Sequence, residues 1–189
     1  REVNAMLDLV KQETERIESR FLEPACGDGN FLAEILRRKL TVVKSRYGKH
    51  AADYERYSVI AITSIYGVDI LQDNVEDCRK RLFEIWDKDY TTICKKEVNY
   101  ILRHNILCGD ALTLKQADDS PIIFAEWSAV NGCMTKRRDF RLDQMLEGHQ
   151  EQITLFMTGW EYDEEIQAFI PLPIREFPPI HYRRVQQYE

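Results

Sequence analysis

The sequence predicts an α/β protein in three layers, a mostly parallel sheet with helices on both faces. Three observations lead there. Short apolar, β-branched runs alternate with stretches of helical periodicity from residue 20 to residue 108. The first three runs end at Glu23, at Asp69 and at Gly109-Asp110, so acids and glycines gather at strand ends. After the fourth run, Asn131-Gly132 marks a β-hairpin with a type I′ turn on an otherwise parallel plan.

The elements follow in order. Val3, Met6, Leu7, Leu9 and Val10 recur at helical spacing, which predicts an amphipathic helix over residues 2–18. Arg20 to Ala25 is a short strand. Phe31, Leu32, Ile35, Leu36, Leu40 and Val43 mark a helix running to about Arg46. Residues 50–64 read as helix, with Val59 to Ile65 apolar and β-branched enough to compete as strand. Ile65 to Ile70 is the second strand, and Asp73 to Trp86 a helix with Val75, Cys78, Leu82 and Phe83 mostly on one side. Tyr90 to Leu102 is a weaker helix, and Asn105 to Cys108 the third strand. Pro121 to Val130 is the fourth strand, and Met134 to Phe140 returns antiparallel. Leu142 to Glu147 suits a helical turn and Ile153 to Trp160 a last strand. The tail from Pro171 carries four of the six prolines and is expected to be irregular, lying on the surface. Residues 1–170 would thus be one domain and residues 171–189 a proline-rich tail.

Composition narrows the function classes. With 189 residues, 44% hydrophobic and 31% charged, the chain suits one ordinary globular domain with a full core. No run approaches the ~20 apolar residues of a membrane span, and no secretory signal is visible. The chain opens on Arg1 rather than Met, so the native N-terminus is expected upstream. Cys26, Cys78, Cys94, Cys108 and Cys133 are odd in number and never spaced Cys-x-x-Cys. That pattern predicts reduced thiols in a cytoplasmic protein, with neither a disulfide frame nor a metal site. The net charge of −6 disfavours a stand-alone nucleic-acid binder, although Arg37-Arg38-Lys39, Lys136-Arg137-Arg138 and Arg183-Arg184 are locally basic.

The chemistry sits at the predicted strand ends. Phe21-Leu22-Glu23-Pro24-Ala25-Cys26-Gly27-Asp28-Gly29-Asn30-Phe31-Leu32 describes a strand, a tight glycine loop and a helix N-terminus. A dinucleotide fingerprint would need a third glycine at position 32, which is Leu32. What remains suits a nucleoside carrying an amino acid. Glycines let backbone approach the ligand, and helix amides receive its carboxylate. An acid after the second strand, Asp69, can accept both ribose hydroxyls, and one after the third, Asp110, an adenine amino group. Each piece has a plainer reading: a turn at Gly27-Asp28-Gly29, a helix cap at Asp69, a strand-ending turn at Gly109-Asp110. Their order at three successive strand ends, outside the carboxyl edge where α/β sheets bind ligands, favours the nucleoside site.

These residues resemble the cofactor motif of class I S-adenosylmethionine-dependent methyltransferases, in the version found in adenine-N6 DNA methyltransferases of restriction–modification systems. Tyr66-Gly67-Val68-Asp69-Ile70 resembles their ribose-binding strand end, and Asn105 to Leu112 their adenine-binding one. Glu2-Val3-Asn4-Ala5-Met6-Leu7 resembles the segment that walls their methionine pocket. The resemblance covers about residues 1–112 and implies a Rossmann-like fold. It implies that Glu23, Pro24, Ala25, Cys26, Gly27, Asp28 and Gly29 hold the methionine moiety, that Asp69 and Ile70 meet the ribose, and that Asp110 and Ala111 meet the adenine. Phe31 would pack nearby or belong to the helix core.

The family's catalytic motif, an Asp or Asn followed by two prolines and an aromatic, is missing from the fourth predicted strand. Glu126 and Trp127 stand there, able in principle to accept amino hydrogens and to stack on a flipped base. Their plainer reading is an ordinary strand with a core tryptophan. Phe177-Pro178-Pro179-Ile180 has the prolines without the flanking groups. Too few residues follow Asp110 for a separate recognition domain, so the chain would either lack sequence recognition or borrow it from a partner subunit. The expected function is methyl transfer from S-adenosylmethionine to DNA adenine. The alternatives are a catalytically silent cofactor-binding subunit and a methyltransferase for RNA, protein or a small molecule.

Overall fold

β1 (Phe21–Glu23), β2 (Ile65–Asp69) and β3 (Ile106–Cys108) form a parallel sheet in that order, with Leu22 beside Tyr66 and Val68 beside Leu107. The computed structural model describes residues 2–88, 94–147, 160–163 and 168–188. Parallel neighbours require long crossovers. Here α3 (Asn30–Tyr47) and α4 (Ala51–Thr63) join β1 to β2, and α5 (Gln72–Asp87) and α6 (Lys95–Asn105) join β2 to β3. The contested run from Val59 is helical up to Thr63, because Val59, Ala61 and Ile62 are buried on the helical core, and the strand begins only at Ile65. The face of the sheet carrying Ile65 and Ile106 joins that core, to which α3 contributes Leu32, Ile35, Leu36, Leu40 and Val43 from one stripe.

The expected opening helix is two short ones, α1 (Glu2–Asp8) and α2 (Lys11–Thr14). Only Val3 and Leu7 of the early apolar residues reach the core, and Met6, Leu9 and Val10 stay exposed. The break lets Ile17 enter the core and lets residues 16–19 wrap a buried lysine. Lys39 on α3 donates to the carbonyls of Arg16 at 2.9 Å, Ile17 at 3.0 Å and Ser19 at 2.5 Å, with the Phe21 ring 5.2 Å away. All three N–H bonds of an ammonium are thereby used. Lys39→Met is expected to lower the unfolding free energy by about 2–4 kcal/mol, since three carbonyls lose their donor.

Burial pulls the Lys39 pKa down to about 7. The unfolded chain keeps that proton up to about pH 10.4, so the desolvation cost of holding Lys39 charged is largest below about pH 7 and is relieved as pH rises from about 7 to about 10. Chemical denaturation across pH 7–9 should give a wild-type stability that rises relative to Lys39→Met by up to about 1 kcal/mol per pH unit. A constant difference would show that the lysine stays charged throughout.

The second sheet is antiparallel. β4 (Ile123–Ala129) pairs with β5 (Met134–Arg141), and β5 also carries β8 (Arg175–Glu176) and β9 (Ile180–His181). β6 (Trp160–Asp163) and β7 (Ala168–Pro171) form a separate pair, and α7 spans Leu142–Glu147. Residues 153–159 of the expected last strand lie outside the described residues; Trp160 opens β6. The hairpin at Asn131-Gly132 is present, but its turn is not type I′. Val130 N–H donates to Met134 at 2.9 Å around a three-residue loop, and Asn131 lacks the positive φ that the two-residue turn needs.

β4 also corrects the layer plan. Ile122 and Phe124 pack with Leu142 on the face of β2 that carries Tyr66 and Val68, and Tyr66 Oη donates to the Ala125 carbonyl at 3.0 Å. That face is therefore covered by a β-segment rather than a second helical layer. The chain is a mixed α/β protein with a three-stranded parallel sheet and a distinct antiparallel sheet.

The expected irregular surface tail does not hold for residues 175–188. β8 and β9 extend the antiparallel sheet, and a 3-10 helix (Tyr182–Gln187) follows. Phe177, Tyr182, Val185 and Tyr188 enter the core. Buried Glu55 on α4 accepts from Tyr182 Oη at 2.8 Å, Arg183 Nε at 2.6 Å and Cys94 Sγ at 3.3 Å, which ties this end of the chain to the helices.

Candidate functional site

The carboxyl edge of the parallel sheet is where the predicted residues meet. The chain leaves β1 at Glu23, and Pro24 and Ala25 are exposed. Cys26 N–H then donates to Val68 O at 2.9 Å, which fastens the loop onto the neighbouring strand. Gly27 N–H donates to Asp69 Oδ2 at 2.9 Å. Gly27 and Gly29 have φ of +52° and +85°, conformations that side-chain-bearing residues resist. Gly29 caps α3 with no side-chain hydrogen bond, so the first-turn amides of an 18-residue helix keep no side-chain acceptor. Asp28 is held aside by Arg81 Nη2 at 2.7 Å and Asn30 Nδ2 at 2.7 Å. Glu23 Oε1 accepts weakly from Ala25 N–H at 3.4 Å.

Asp69 does more structural work than the sequence suggests. Its Oδ1 accepts from Leu71 N–H and Asn74 Nδ2, both at 2.9 Å, while Oδ2 takes Gly27 N–H. Partial burial works to raise its pKa, but the donors from Leu71, Asn74 and Gly27 outweigh it and hold the carboxyl below its usual value. The stability this confers is present above the unfolded pKa of about 3.9 and is lost as pH falls through the folded value. An ionised carboxylate has about four acceptor positions, and these donors take three of them. Asp69→Asn is expected to lower the unfolding free energy by about 1–2 kcal/mol, because its amide must turn an N–H toward one of three converging donors. A thermal melt at pH 7 checks this; unchanged stability would remove Asp69 from the loop's support.

Gly109 N–H donates to Asp69 O at 2.9 Å, which brings the third strand end alongside. Asp110 Oδ1 accepts Leu112 N–H at 2.8 Å, and its backbone N–H donates to Lys115 at 2.8 Å. Residues 110–121 fold back as a loop that walls a cavity of about 420 Å³, lined by Ile70, Cys108, Asp110, Thr113, Lys115 and Asp119. Ile70 is 68% exposed at its mouth and Leu112 is 95% exposed nearby. Ala111 turns away and packs with the cluster beneath β4, and Phe31 packs against the helical core. Asn74, Thr113 and Lys115 were not predicted. The sequence signal for Asn74 is its place in the first turn of α5, five residues after Asp69.

Ligand sites of open α/β sheets lie where the strand order reverses; among the described residues that feature is missing here, and one expectation fails. The strands run in the simple order β1, β2, β3, and among the described residues no strand pairs with the outer edge of β1. The carboxyl edge therefore shows no reversal of strand order. The failed expectation concerns Glu126 and Trp127. β4 starts at the carboxyl edge, where a side chain on Gly109 would lie 2.7 Å from Ile122 Cδ1. It ends at the amino edge, where Glu126 pairs with Arg20 just before β1, and Trp127 Nε1 donates at 2.8 Å to Asn105, which precedes β3. The strand's direction thus carries both residues away from Gly27, Asp69 and Asp110.

Glu126 is fully engaged as well, by Arg20, by Arg138 Nε at 2.9 Å and by Ser128 Oγ at 2.7 Å. Burial favours its neutral form, but Arg138, Ser128 and Arg20 prevail and keep it ionised below the usual carboxylate range. Trp127 is 5% exposed and meets Tyr100 edge-on at 6.2 Å between ring centroids. The plainer reading, a structural carboxylate and a core tryptophan, is the one the structure supports.

Most residues of the basic stretches are paired with acids in the same way. Lys136 pairs with Glu176, Arg137 with Asp139 at 2.7 Å, Arg38 with Asp8 at 2.8 Å and Arg183 with Glu55 at 2.6 Å. Among the described residues no group of three or more His, Cys, Asp or Glu side chains is placed to hold a metal ion, and no helix is long and apolar enough to cross a membrane. Comparison with family models, curated proteins and solved structures finds no match to this chain.

Proposed function

We propose that this chain is a Rossmann-like, S-adenosylmethionine-binding domain of the methyltransferase type, working in the cytoplasm on the exocyclic amine of adenine in DNA. The observation that carries the reading is the coupling of the Gly27–Gly29 loop to Asp69: a left-handed glycine loop enters an uncapped helix N-terminus and is hydrogen-bonded to an acid one strand away. The helix amides would take the cofactor's carboxylate, the free acceptor position of Asp69 a ribose hydroxyl, and the cavity beside Ile70 and Asp110 the adenine. In-line methyl transfer depends on orientation and approach distance, which such a rigid edge supplies. The acidic balance and the paired arginines suit a chain whose DNA target is gripped by a partner subunit.

The placement of Glu126 and Trp127 favours a second reading, a cofactor-binding subunit that transfers no methyl group itself. Calorimetry with S-adenosylmethionine, NAD and ATP tests the shared part: binding of S-adenosylmethionine alone supports it, and preference for NAD or ATP overturns it. A radiolabelled methyl-transfer assay on DNA, RNA and protein separates the rest. Label in DNA supports the methyltransferase; cofactor binding without label anywhere supports the silent subunit.

A further inference from the structure

A second cavity, of about 280 Å³, lies at the amino edge of the parallel sheet, the opposite end of the strands from Gly27 and Asp69. Glu18 and Arg20 line it from the segment before β1, Ser64 from just before β2, and Ser128 from β4. Arg56, Val59, Ile60 and Thr63 also line it, and they fall at i, i+3, i+4 and i+7 on one face of α4. Ile101 and Met134 complete its apolar side. Drug-sized ligands occupy roughly 300–1,000 Å³, so this space suits a smaller molecule.

The charges around the cavity do not all cancel within the fold. Arg20 is matched by Glu126. Glu18 and Arg56 have no ion-pair partner among the described residues. The Arg56 guanidinium lies 5.4 Å from the centre of the Tyr57 ring, which is itself stacked on Tyr47 at 3.8 Å. A guanidinium resting on an aromatic face keeps its N–H fork for a carboxylate. The hydroxyls have the opposite character. Thr63 Oγ1 donates to Ile60 O at 2.8 Å, Ser64 Oγ to Ala61 O at 2.8 Å and Ser128 Oγ to Glu126 Oε1 at 2.7 Å. Each has spent its one proton, so toward a ligand it can only accept.

We propose that this cavity is a second ligand site, for a free α-amino acid with an apolar side chain. Arg56 takes the carboxylate. Glu18 and the hydroxyl oxygens take the ammonium, whose N–H groups need acceptors alone. The side chain lies along Val59, Ile60, Ile101 and Met134. A simple anion would leave Glu18 unanswered and a simple cation would leave Arg56 so; a zwitterion answers both. The site stands apart from the carboxyl edge and does not depend on what binds there.

The test is calorimetry of the full chain with L-phenylalanine, with 3-phenylpropanoate, which lacks the ammonium, and with phenethylamine, which lacks the carboxylate. L-Phenylalanine is expected to bind about tenfold or more tightly than either analogue. Arg56→Gln and Glu18→Gln should each weaken it by about tenfold or more. Both variants should melt as the wild type does, since neither side chain has an ion-pair partner to lose. Ala129→Phe, at an exposed position lining the cavity, should fill the apolar side and block binding. Absence of binding by L-phenylalanine, L-leucine and L-methionine at millimolar concentration overturns the proposal. So does an analogue with a single charge that binds as tightly as L-phenylalanine, or an affinity unchanged in Arg56→Gln and Glu18→Gln.

Discussion

Replacing Trp127 with alanine is expected to lower the unfolding free energy by about 3–5 kcal/mol, the cost of emptying a large core site. Trp127 joins α6 to the end of the chain. It packs near Tyr100, His104 and Tyr188, and its ring N–H satisfies Asn105, whose own amide donates to the Ile65 carbonyl at 3.1 Å. Truncation thus opens a cavity and strands a buried acceptor in one step. Trp127→Phe should cost less, because the ring volume largely remains. Urea denaturation with both variants measures this. A Trp127→Ala chain of wild-type stability would put the indole back among candidates for stacking on a substrate base.

Gly29→Val is expected to cost about 3 kcal/mol or more and to abolish cofactor binding. A β-branched residue at φ +85° is strained, and its Cβ would collide with Cys78 Sγ at 2.6 Å, on a helix that is itself packed. Gly27→Val offers the contrast. At Gly27 the same addition meets nothing within 4 Å, so only the strain of φ +52° is felt, about 1–2 kcal/mol. The fold should survive there while the new side chain occupies the space of the ligand. Thermal melts with parallel calorimetry separate the two. A folded Gly27→Val chain with full cofactor affinity would remove that loop from the site.

The strands, the helices and the strand-end positions of Glu23, Gly27, Asp69 and Asp110 were legible because each depends on neighbours close in sequence. An apolar run, a glycine turn and the first turn of a helix are local events. The engagement of Asp69 by Gly27 was not legible: it spans forty-two residues and is made by a backbone N–H that no side-chain pattern reports. The direction of β4 was hidden for a related reason. Alternation reveals that residues 123–129 form a strand and which face is apolar, but not which end of a sheet they start from. The predicted plan was mostly parallel, and the packing of Ile122 beside Gly109 shows the fourth strand running the other way.

The tail misled through its prolines. Pro178 and Pro179 fall between β8 and β9, where no ladder hydrogen bond needs their missing N–H. Phe177 N–H still donates to Arg137 O at 3.0 Å and Tyr182 N–H to Cys133 O at 3.0 Å, so the segment is stitched in around them. Spaced aromatics at 177, 182 and 188 were the better guide to burial.

A crystal structure of the chain soaked with S-adenosylhomocysteine tests the central claim most directly. The amino-acid carboxylate is predicted against the α3 amides after Gly29, a ribose hydroxyl on Asp69, and the adenine between Ile70 and Asp110. A ligand seated elsewhere, or a carboxyl edge left empty at saturating ligand, would contradict it.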